Sequence, residues 1–307
     1  MKVGDRCMMN RLRKSSRHVC IMWVGMALAI GLAARPAQSQ EKTSLWKVSI
    51  GARTMYLLGS IHLLTEKEYP LDARMEKAFQ DADAVVFEVD PDSLQTPSLQ
   101  AYILQNAMYG EGKTLQTELG DSVYAIASAR AESLGIDLGP MNFFKPWLVS
   151  MTVALAEMQR MGFDPELGVE MYFAKKARAE GKKVLGLETA QYQLGLFATL
   201  TDTQQKDFLM HTLTQLADIE KELPKILVAW KEGKLDDLEA TLNKSFTEFP
   251  EIYERLVTQR NHNWVAEIEE FLSGDKTYLM VVGVGHMPGE EGLIELLKKK
   301  GYTIEQL

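Results

Sequence analysis

Two histidines of this chain stand in the same local pattern, each with a glycine three residues before it: Gly59-Ser60-Ile61-His62 and Gly283-Val284-Gly285-His286. Imidazole changes charge near neutral pH and, when neutral, offers a nitrogen lone pair to a proton or a metal. Glycine at such a point lets the backbone turn sharply and lets a ligand come close. Glu88 closes the apolar run Val85-Val86-Phe87, and Glu188 closes the run beginning at Lys182. A carboxylate at the margin of a buried strand needs a cation or hydrogen-bond donors to offset its lost hydration. Glu170, early in a helix-like segment, would point back at the same edge or simply face its own helix amino terminus. Taken singly, each histidine reads as a capping or core group. Taken together with the strand-end acids, the pair reads as functional.

Two imidazoles with one or more carboxylates suit a first-row divalent ion such as Mn, Fe, Co or Zn. A water on such an ion becomes a nucleophile, and a spare carboxylate serves as general base. Without a metal, the same residues leave a histidine as the base. Familiar zinc-peptidase and serine-hydrolase signatures, H-E-x-x-H and G-x-S-x-G, are absent from the sequence. Arg260 lies in an apolar stripe with Leu256, Trp264 and Ile268 at four-residue steps. A buried arginine there would seek a carboxylate or orient an anionic substrate group; the alternative is a stem that snorkels to the helix edge. His211 and His262 fall in polar helical contexts and are expected at the surface.

The elements that must position these residues alternate between strand and helix. Leu45–Ile50 and residues 54–58 read as a hairpin turning at Gly51, and the second strand runs into Gly59–His62. A helix over 72–82 follows, then a strand over 84–87. Near the other end, a strand over 278–282 leads to Gly283–His286, a helix over 290–299 and a last strand over 302–304. Both ends therefore read strand, G-x-x-H, helix, strand, a weak internal repeat. Between them lie helices expected over 118–134, 146–161, 167–180, 203–232, 235–243 and 251–272, with one strand, 182–187. The 146–161 helix carries Trp147, Leu148, Met151, Leu155 and Met158 at helical spacing and is too short and too interrupted to span a membrane. If the strands are parallel neighbours, His62, Glu88, Glu188 and His286 share one edge of the sheet, where open α/β sheets place their chemistry.

The amino terminus reads differently. Six basic residues between Lys2 and Arg17 precede the uncharged apolar run from Val19 to Ala34, and Ala37 and Ser39 mark a cleavage site. This is the pattern of a secretory signal peptide over residues 1–39, with a core short for a membrane span. Both cysteines, Cys7 and Cys20, lie inside it, so residues 40–307 have no thiol for a disulfide, a nucleophile or a metal. That remainder carries 27 basic and 41 acidic residues, a net charge of −14. An exported protein, periplasmic or secreted, is expected, with no stable membrane span after cleavage and no electrostatic case for nucleic acid.

The motifs, read in order, resemble the TraB/GumN family, which is related to the TIKI metalloproteases and more distantly to erythromycin esterases. They are LLGSIH at 57–62, VVFEVD at 85–90, KPW at 145–147, the G-V-E-x-x-F-x-x-x-A stretch at 168–177, GKKVLGLET with Gln193, R-N-x-x-W at 260–264, and VGVGHMPG at 282–289. The resemblance implies paired G-x-x-H motifs at His62 and His286 with a glutamate at Glu88, and, in the TIKI branch, a peptidase dependent on manganese or cobalt. Glu188 and Gln193 match a further family motif. Glu170 departs from the pattern, since members often carry Asp there.

The expectation is a single α/β domain over residues 40–307, with a mixed, largely parallel sheet, duplicated strand-GxxH-helix-strand units and a helical insertion. The leading function is metal-dependent hydrolysis, most plainly of a peptide. His62, His286, Glu88 and Glu170 are the candidate ligands of a divalent ion (Mn, Co or Zn). His62, His286, Glu88, Glu188 and Arg260 are the candidate catalytic groups. The alternatives are a metal-free esterase-type hydrolase with histidine as base, and a non-enzymatic metal- or haem-binding protein.

Overall fold

The expected hairpin forms: β1 (Leu45–Ile50) pairs antiparallel with β2 (Arg53–Ser60), with Leu45 opposite Leu58 and the turn at Gly51. Residues 42–247 and 249–307 are described, in a computed structural model. The signal peptide expected over residues 1–39 lies outside them. After β2 come α1 (Ala73–Asp81), β3 (Ala84–Val89), α2 (Pro97–Ala107), α3 (Leu115–Leu119), α4 (Asp121–Ser133), α5 (Pro146–Arg160), α6 (Val169–Glu180) and β4 (Lys183–Glu188). Then follow α7 (Ala190–Ala198), α8 (Asp202–Leu216), α9 (Ile219–Lys231), α10 (Leu235–Phe246), α11 (Pro250–Tyr253), α12 (Gln259–Ser273), β5 (Tyr278–Gly283), α13 (Leu293–Lys299) and β6 (Thr303–Gln306).

The six strands form one mixed sheet in the order β4-β3-β5-β2-β1-β6. The pairs β4–β3, β3–β5 and β5–β2 are parallel, while β1 is antiparallel to both of its neighbours. The four strands that deliver His62, His286, Glu88 and Glu188 are therefore contiguous and parallel, with Ser60 level with Gly283 and Val89 level with Glu188. The nearly unbroken apolar runs of β2, β3 and β5 suit strands covered on both faces, and Leu57, Leu58, Val85, Val86, Leu279, Met280 and Val281 are all fully buried, while the edge strand β4 is only part-buried.

Handedness decides where the helices go. The connections β2 to β3 and β3 to β4 run toward one edge, and β4 to β5 and β5 to β6 run toward the other. Right-handed crossovers then put α1 and α6 on one face and α12 and α13 on the opposite face. The packing agrees: Phe79 of α1 stacks on Phe173 of α6 with ring centroids 5.5 Å apart, while α12 packs on α13 and β2. The loops leaving β2 and β5, side by side in the sheet, thus part to opposite faces and open a crevice at the strands' carboxyl ends. Both duplicated units follow the strand, GxxH, helix, strand order, but they cross the sheet in opposite directions.

The middle of the chain departs from expectation in several places. The helix expected over 118–134 is broken at Gly120, whose φ of 77° ends α3. The stretch expected as one helix over 203–232 is two, because Asp218 and the acidic first turn of α9 (Glu220, Glu222) favour a fresh helix start. Helices α2 and α7 were not anticipated, although Thr96 before Pro97 and Thr189 cap them. On α5 the buried face is Pro146, Trp147, Val149, Ser150, Val153 and Glu157, and Met151 and Leu155 face outward, because α5 packs on α8 along that other stripe. The buried Glu157 carboxylate is held by Arg160 through hydrogen bonds of 2.8 and 2.7 Å. Among the described residues no helix is long and apolar enough to cross a membrane.

Candidate functional site

The glycines of the two GxxH motifs create the floor of the crevice. A Cβ on Gly59 would lie 2.7 Å from Val284 Cγ2, so only glycine lets the first motif pack against the second. A Cβ on Gly283 would lie 3.2 Å from Glu88 Oε1, 3.4 Å from His62 Nε2 and 3.7 Å from His286 Cδ2. The two rings are therefore no farther apart than the sum of the last two distances. That is inside the roughly 8 Å beyond which one ion could not bridge them. The missing side chain of Gly283 lets an imidazole nitrogen and a carboxylate oxygen converge over its Cα. The backbone at Gly283, with φ of −48°, would accept alanine, but the added methyl would press on Glu88 Oε1 and His62 Nε2, so Gly283→Ala is expected to lower Tm, as checked by a thermal melt beside wild type.

His62 lies just past the end of β2, with 60% of its side chain exposed at the mouth of the crevice. Its Nδ1 donates to Glu170 Oε1 at 2.7 Å, and Ser60 Oγ donates to the same oxygen. Glu170 reaches this point because α6 starts close against the first motif. Val169 N donates to Ile61 O at 3.1 Å, and a Cβ on Gly168 would lie 2.1 Å from the His62 carbonyl oxygen. The other Glu170 oxygen, Oε2, is buried and has no hydrogen-bond partner among the described residues. The Glu170 carboxylate raises His62 from 6.5 to about 9, against the opposing effect of burial; solvent over the exposed ring moderates that attraction.

The inner half of the site is a closed ion-pair network. Glu88 lies inside β3, one residue before its end, where a position just beyond the strand was expected. Its Oε1 accepts from Gly283 N at 2.7 Å and its Oε2 from Arg260 Nη2 at 2.5 Å. Glu188 accepts from Arg260 Nε and Nη2 at 3.0 and 2.9 Å, and from Trp264 Nε1 at 3.0 Å. Gln193, from α7, donates through Nε2 to Glu88 Oε2 and Glu188 Oε2, both at 3.0 Å. Burial opposes the charge of Glu88, but positive partners win: His286 when protonated, Arg260 always, and His62. With the Gly283 N–H they hold the carboxyl well below its usual range.

Arg260 is buried, so its stem does not snorkel outward. Its Nη1 donates to Leu256 O at 2.9 Å and to His286 Nε2 at 3.1 Å. With the bonds to Glu88 and Glu188, every guanidinium N–H is engaged within the protein, and none is left over for the anionic substrate group expected from the sequence. A widened π-helical turn, Glu254–Thr258, precedes Arg260, and the guanidinium caps a carbonyl of that turn. Such turns recur at functional sites. The ring of Trp264 lies under the guanidinium at 4.6 Å and beside the His286 ring at 4.4 Å.

His286 is buried, unlike His62. Its Nδ1 donates to Asn261 Oδ1 at 2.7 Å, and Asn261 Nδ2 donates to the carbonyls of His286 and Glu291 at 3.2 and 2.7 Å. Burial pushes this ring down to about 3; Glu88 pulls it up and Arg260 adds to the fall. It is a neutral imidazole whose Nε2 lone pair accepts from the Arg260 guanidinium. The two GxxH histidines, alike in sequence, thus have opposite electrostatic characters.

The remaining histidines stand apart. His262 is exposed, as expected, with Nε2 2.6 Å from Glu291 Oε2. His211 is half-buried where a surface position was expected; its Nε2 lies 2.9 Å from Ser245 O and its ring meets Phe249 edge-on, because α10 folds back over α8. Sequence reasoning missed Ser60, Gly168 and Asn261. Their signals were present: Ser60 and Gly168 lie inside recognised motifs, and Asn261 adjoins Arg260.

The donors suit a divalent ion in kind, two imidazoles and two or three carboxylates. Their present placement does not make a metal centre: among the described residues no group of three or more His, Cys, Asp or Glu is set to hold an ion. Two bonds explain this. Arg260 takes His286 Nε2, and His62 Nδ1 takes the nearer oxygen of Glu170.

Comparison with known proteins is consistent along the whole described chain. The TraB/PrgY/gumN family model matches residues 44–306. The uncharacterized protein YbaP of Escherichia coli (strain K12) is 25% identical over 248 residues, 81% of this chain and 89% of that protein. An uncharacterized protein of Treponema pallidum (strain Nichols) is 21% identical over 97% of this chain and 94% of its own length. A Metalloprotease TIKI homolog of Amphimedon queenslandica is 27% identical over 198 residues, 55% of this chain and 38% of that protein. No solved structure matches.

Proposed function

This chain belongs to the TraB/PrgY/gumN family, and from that premise we propose that it is a hydrolase of acyl bonds, peptides foremost, in which His62 is the base that activates water. The observation that carries the reading is the geometry of His62. Its Nδ1 is fixed by Glu170, and its Nε2, unbonded among the described residues, comes close over Gly283 beside Glu88 Oε1. This is the base-and-orienter arrangement of hydrolytic sites. A water at Nε2 gives its proton to that nitrogen as its oxygen attacks the carbonyl carbon. The same proton then passes to the leaving nitrogen or oxygen as the C–N or C–O bond breaks. Arg260 holds Glu88 and Glu188 in place and keeps His286 neutral, so the inner network is a fixed electrostatic wall.

The pH dependence follows from the sign of the His62 shift. A ring raised toward about 9 is protonated at neutral pH, so the basic form, and with it the rate, grows as pH rises. Glu170→Gln removes the largest cause of that shift. Its rising limb in kcat/KM should move down toward the ordinary histidine value of about 6.5; an unmoved limb would separate Glu170 from the chemistry.

A second reading, a metal-dependent peptidase, is favoured by the printed name of the Amphimedon relative and by the kinds of donor present. His62, His286 and Glu88, with Glu170, would hold the ion, which when bound would acidify a water. It requires Arg260 to release His286. A panel of peptides and simple esters, incubated with wild type and with His62→Ala, tests the first reading. Cleavage lost in the variant supports it, and a wild type inert on the whole panel refutes it. The reading includes export, resting on residues 1–39; amino-terminal sequencing of the protein from its native host should begin at Gln40, and an intact Met1 would overturn this part.

A further inference from the structure

Three side chains of the inner network meet around one positive charge. Arg260 Nη2 donates to Glu88 Oε2 at 2.5 Å and to Glu188 Oε2 at 2.9 Å, and Nη1 donates to His286 Nε2 at 3.1 Å. The side chains of Arg260, Glu88, Glu188 and His286 are each only 7–11% exposed, so the two carboxylates depend on that charge rather than on water. An imidazole lone pair and two carboxylates are also what a first-row divalent ion takes. His286 Nε2 and Glu88 Oε1 lie 3.8 Å apart, the spacing of two ligands whose bonds to one ion are about 2 Å. The planar guanidinium, whose nitrogens reach separate partners, holds the set wider than a single ion would. Accordingly, no three acids or imidazoles among the described residues are set to hold one.

We infer that this network is a cation site whose resident is the Arg260 guanidinium, which bars a divalent ion from His286 and Glu88. An ion on His286 Nε2 needs the lone pair that Nη1 occupies, and it would bring a second cation against the guanidinium. Arg260 has no easy way aside. Its Nε also donates to Glu188 Oε1 at 3.0 Å, its Nη1 to Leu256 O at 2.9 Å, and the Trp264 ring lies 4.6 Å from the guanidinium carbon. Swinging out would break every one of these bonds and leave two buried carboxylates uncompensated. The assignment requires no turnover and its test reads none, so it can fail while the hydrolase reading stands. What it opposes is the metal-dependent reading, which needs Arg260 to release His286.

The test is cation binding by the purified protein, read by titration calorimetry and thermal melts. Arg260→Ala empties the site and should bind zinc about tenfold or more tighter than wild type does. Guanidinium chloride, far below denaturing concentrations and compared with sodium chloride of equal strength, should raise the Tm of this variant and not that of wild type. Adding Glu188→Gln should reverse the gain in zinc binding; a gain that persists comes from elsewhere and counts against the assignment. A variant that binds zinc no better than wild type, or that guanidinium does not stabilise, would overturn it. Should Arg260→Ala fail to fold, wild type answers the same question. The assigned Nε–H resonance of Arg260, in a nitrogen–proton correlation spectrum, should stay in place when one equivalent of zinc is added. Its shift or loss would mean that the ion displaces the guanidinium, and would overturn the assignment as well.

Discussion

His62→Ala is expected to lower kcat/KM on a cleaved peptide by about 10²–10⁴-fold, the usual worth of a positioned acid–base group, with little change in Tm. The two halves of that expectation have separate grounds. The imidazole is mostly exposed and bonds Glu170, whose accepting oxygen keeps the Ser60 hydroxyl when the ring is gone, so folding loses little. The chemistry loses its free nitrogen over Gly283. The equivalent change at the second motif should look different. His286 is buried, bonded to Asn261 and Arg260 and packed on Trp264. His286→Ala should therefore depress Tm as well as activity, because it opens a cavity and strands Asn261 Oδ1 and one Arg260 N–H. Kinetics and melting curves on the two variants together check this. Matching stability losses would mean that the two GxxH units are equivalent after all.

Arg260→Met should destabilise the fold by about 3–5 kcal/mol, the penalty for removing one partner of a buried ion pair. Two carboxylates, Glu88 and Glu188, would be left facing each other in the interior with only Gln193, Trp264 and one backbone N–H to satisfy them. The pH signature is equally specific. In the wild type the folded-state pKa of Glu88 lies below its ordinary 4.5. Its contribution to stability is therefore present above 4.5 and lost as pH falls. Without the guanidinium, burial dominates, the folded pKa rises, and the variant should lose stability as pH rises instead. Adding Glu188→Gln should restore part of the loss, since the two sites share one network. Chemical denaturation at pH 4.5 and pH 8 measures all three. A loss below about 1 kcal/mol would mean that water reaches the network.

How much of this was legible in the sequence follows from which forces act locally. Apolar runs ending at Gly59, Glu88 and Gly283 marked three strands, because burial on both faces writes a continuous signal, while the part-buried edge strand ending at Glu188 was marked by its short apolar run. Their parallel pairing, and so the gathering of His62, His286, Glu88 and Glu188, was inferred from strand–helix alternation. Long-range choices were less visible. The buried stripe of α5 is set by α8, far along the chain, and includes the paired acid Glu157, so spacing alone did not identify it. The opposite characters of His62 and His286 were hidden as well. Both follow a GxxH pattern, but Glu170 comes from α6 to one, and Asn261 and Arg260 from α12 to the other. The full engagement of Arg260 was hidden for the same reason: its partners are spread over β3, β4 and the second GxxH turn.

The central claim is that His62 acts as a base in a site whose inner cation is Arg260. Its most direct test is kcat/KM against pH for the wild type after exhaustive chelation, on one peptide it cleaves. The account predicts that activity persists and rises with pH as a single group loses its proton above the ordinary histidine range, toward about 9. Activity abolished by chelation and restored by manganese, cobalt or zinc would contradict it.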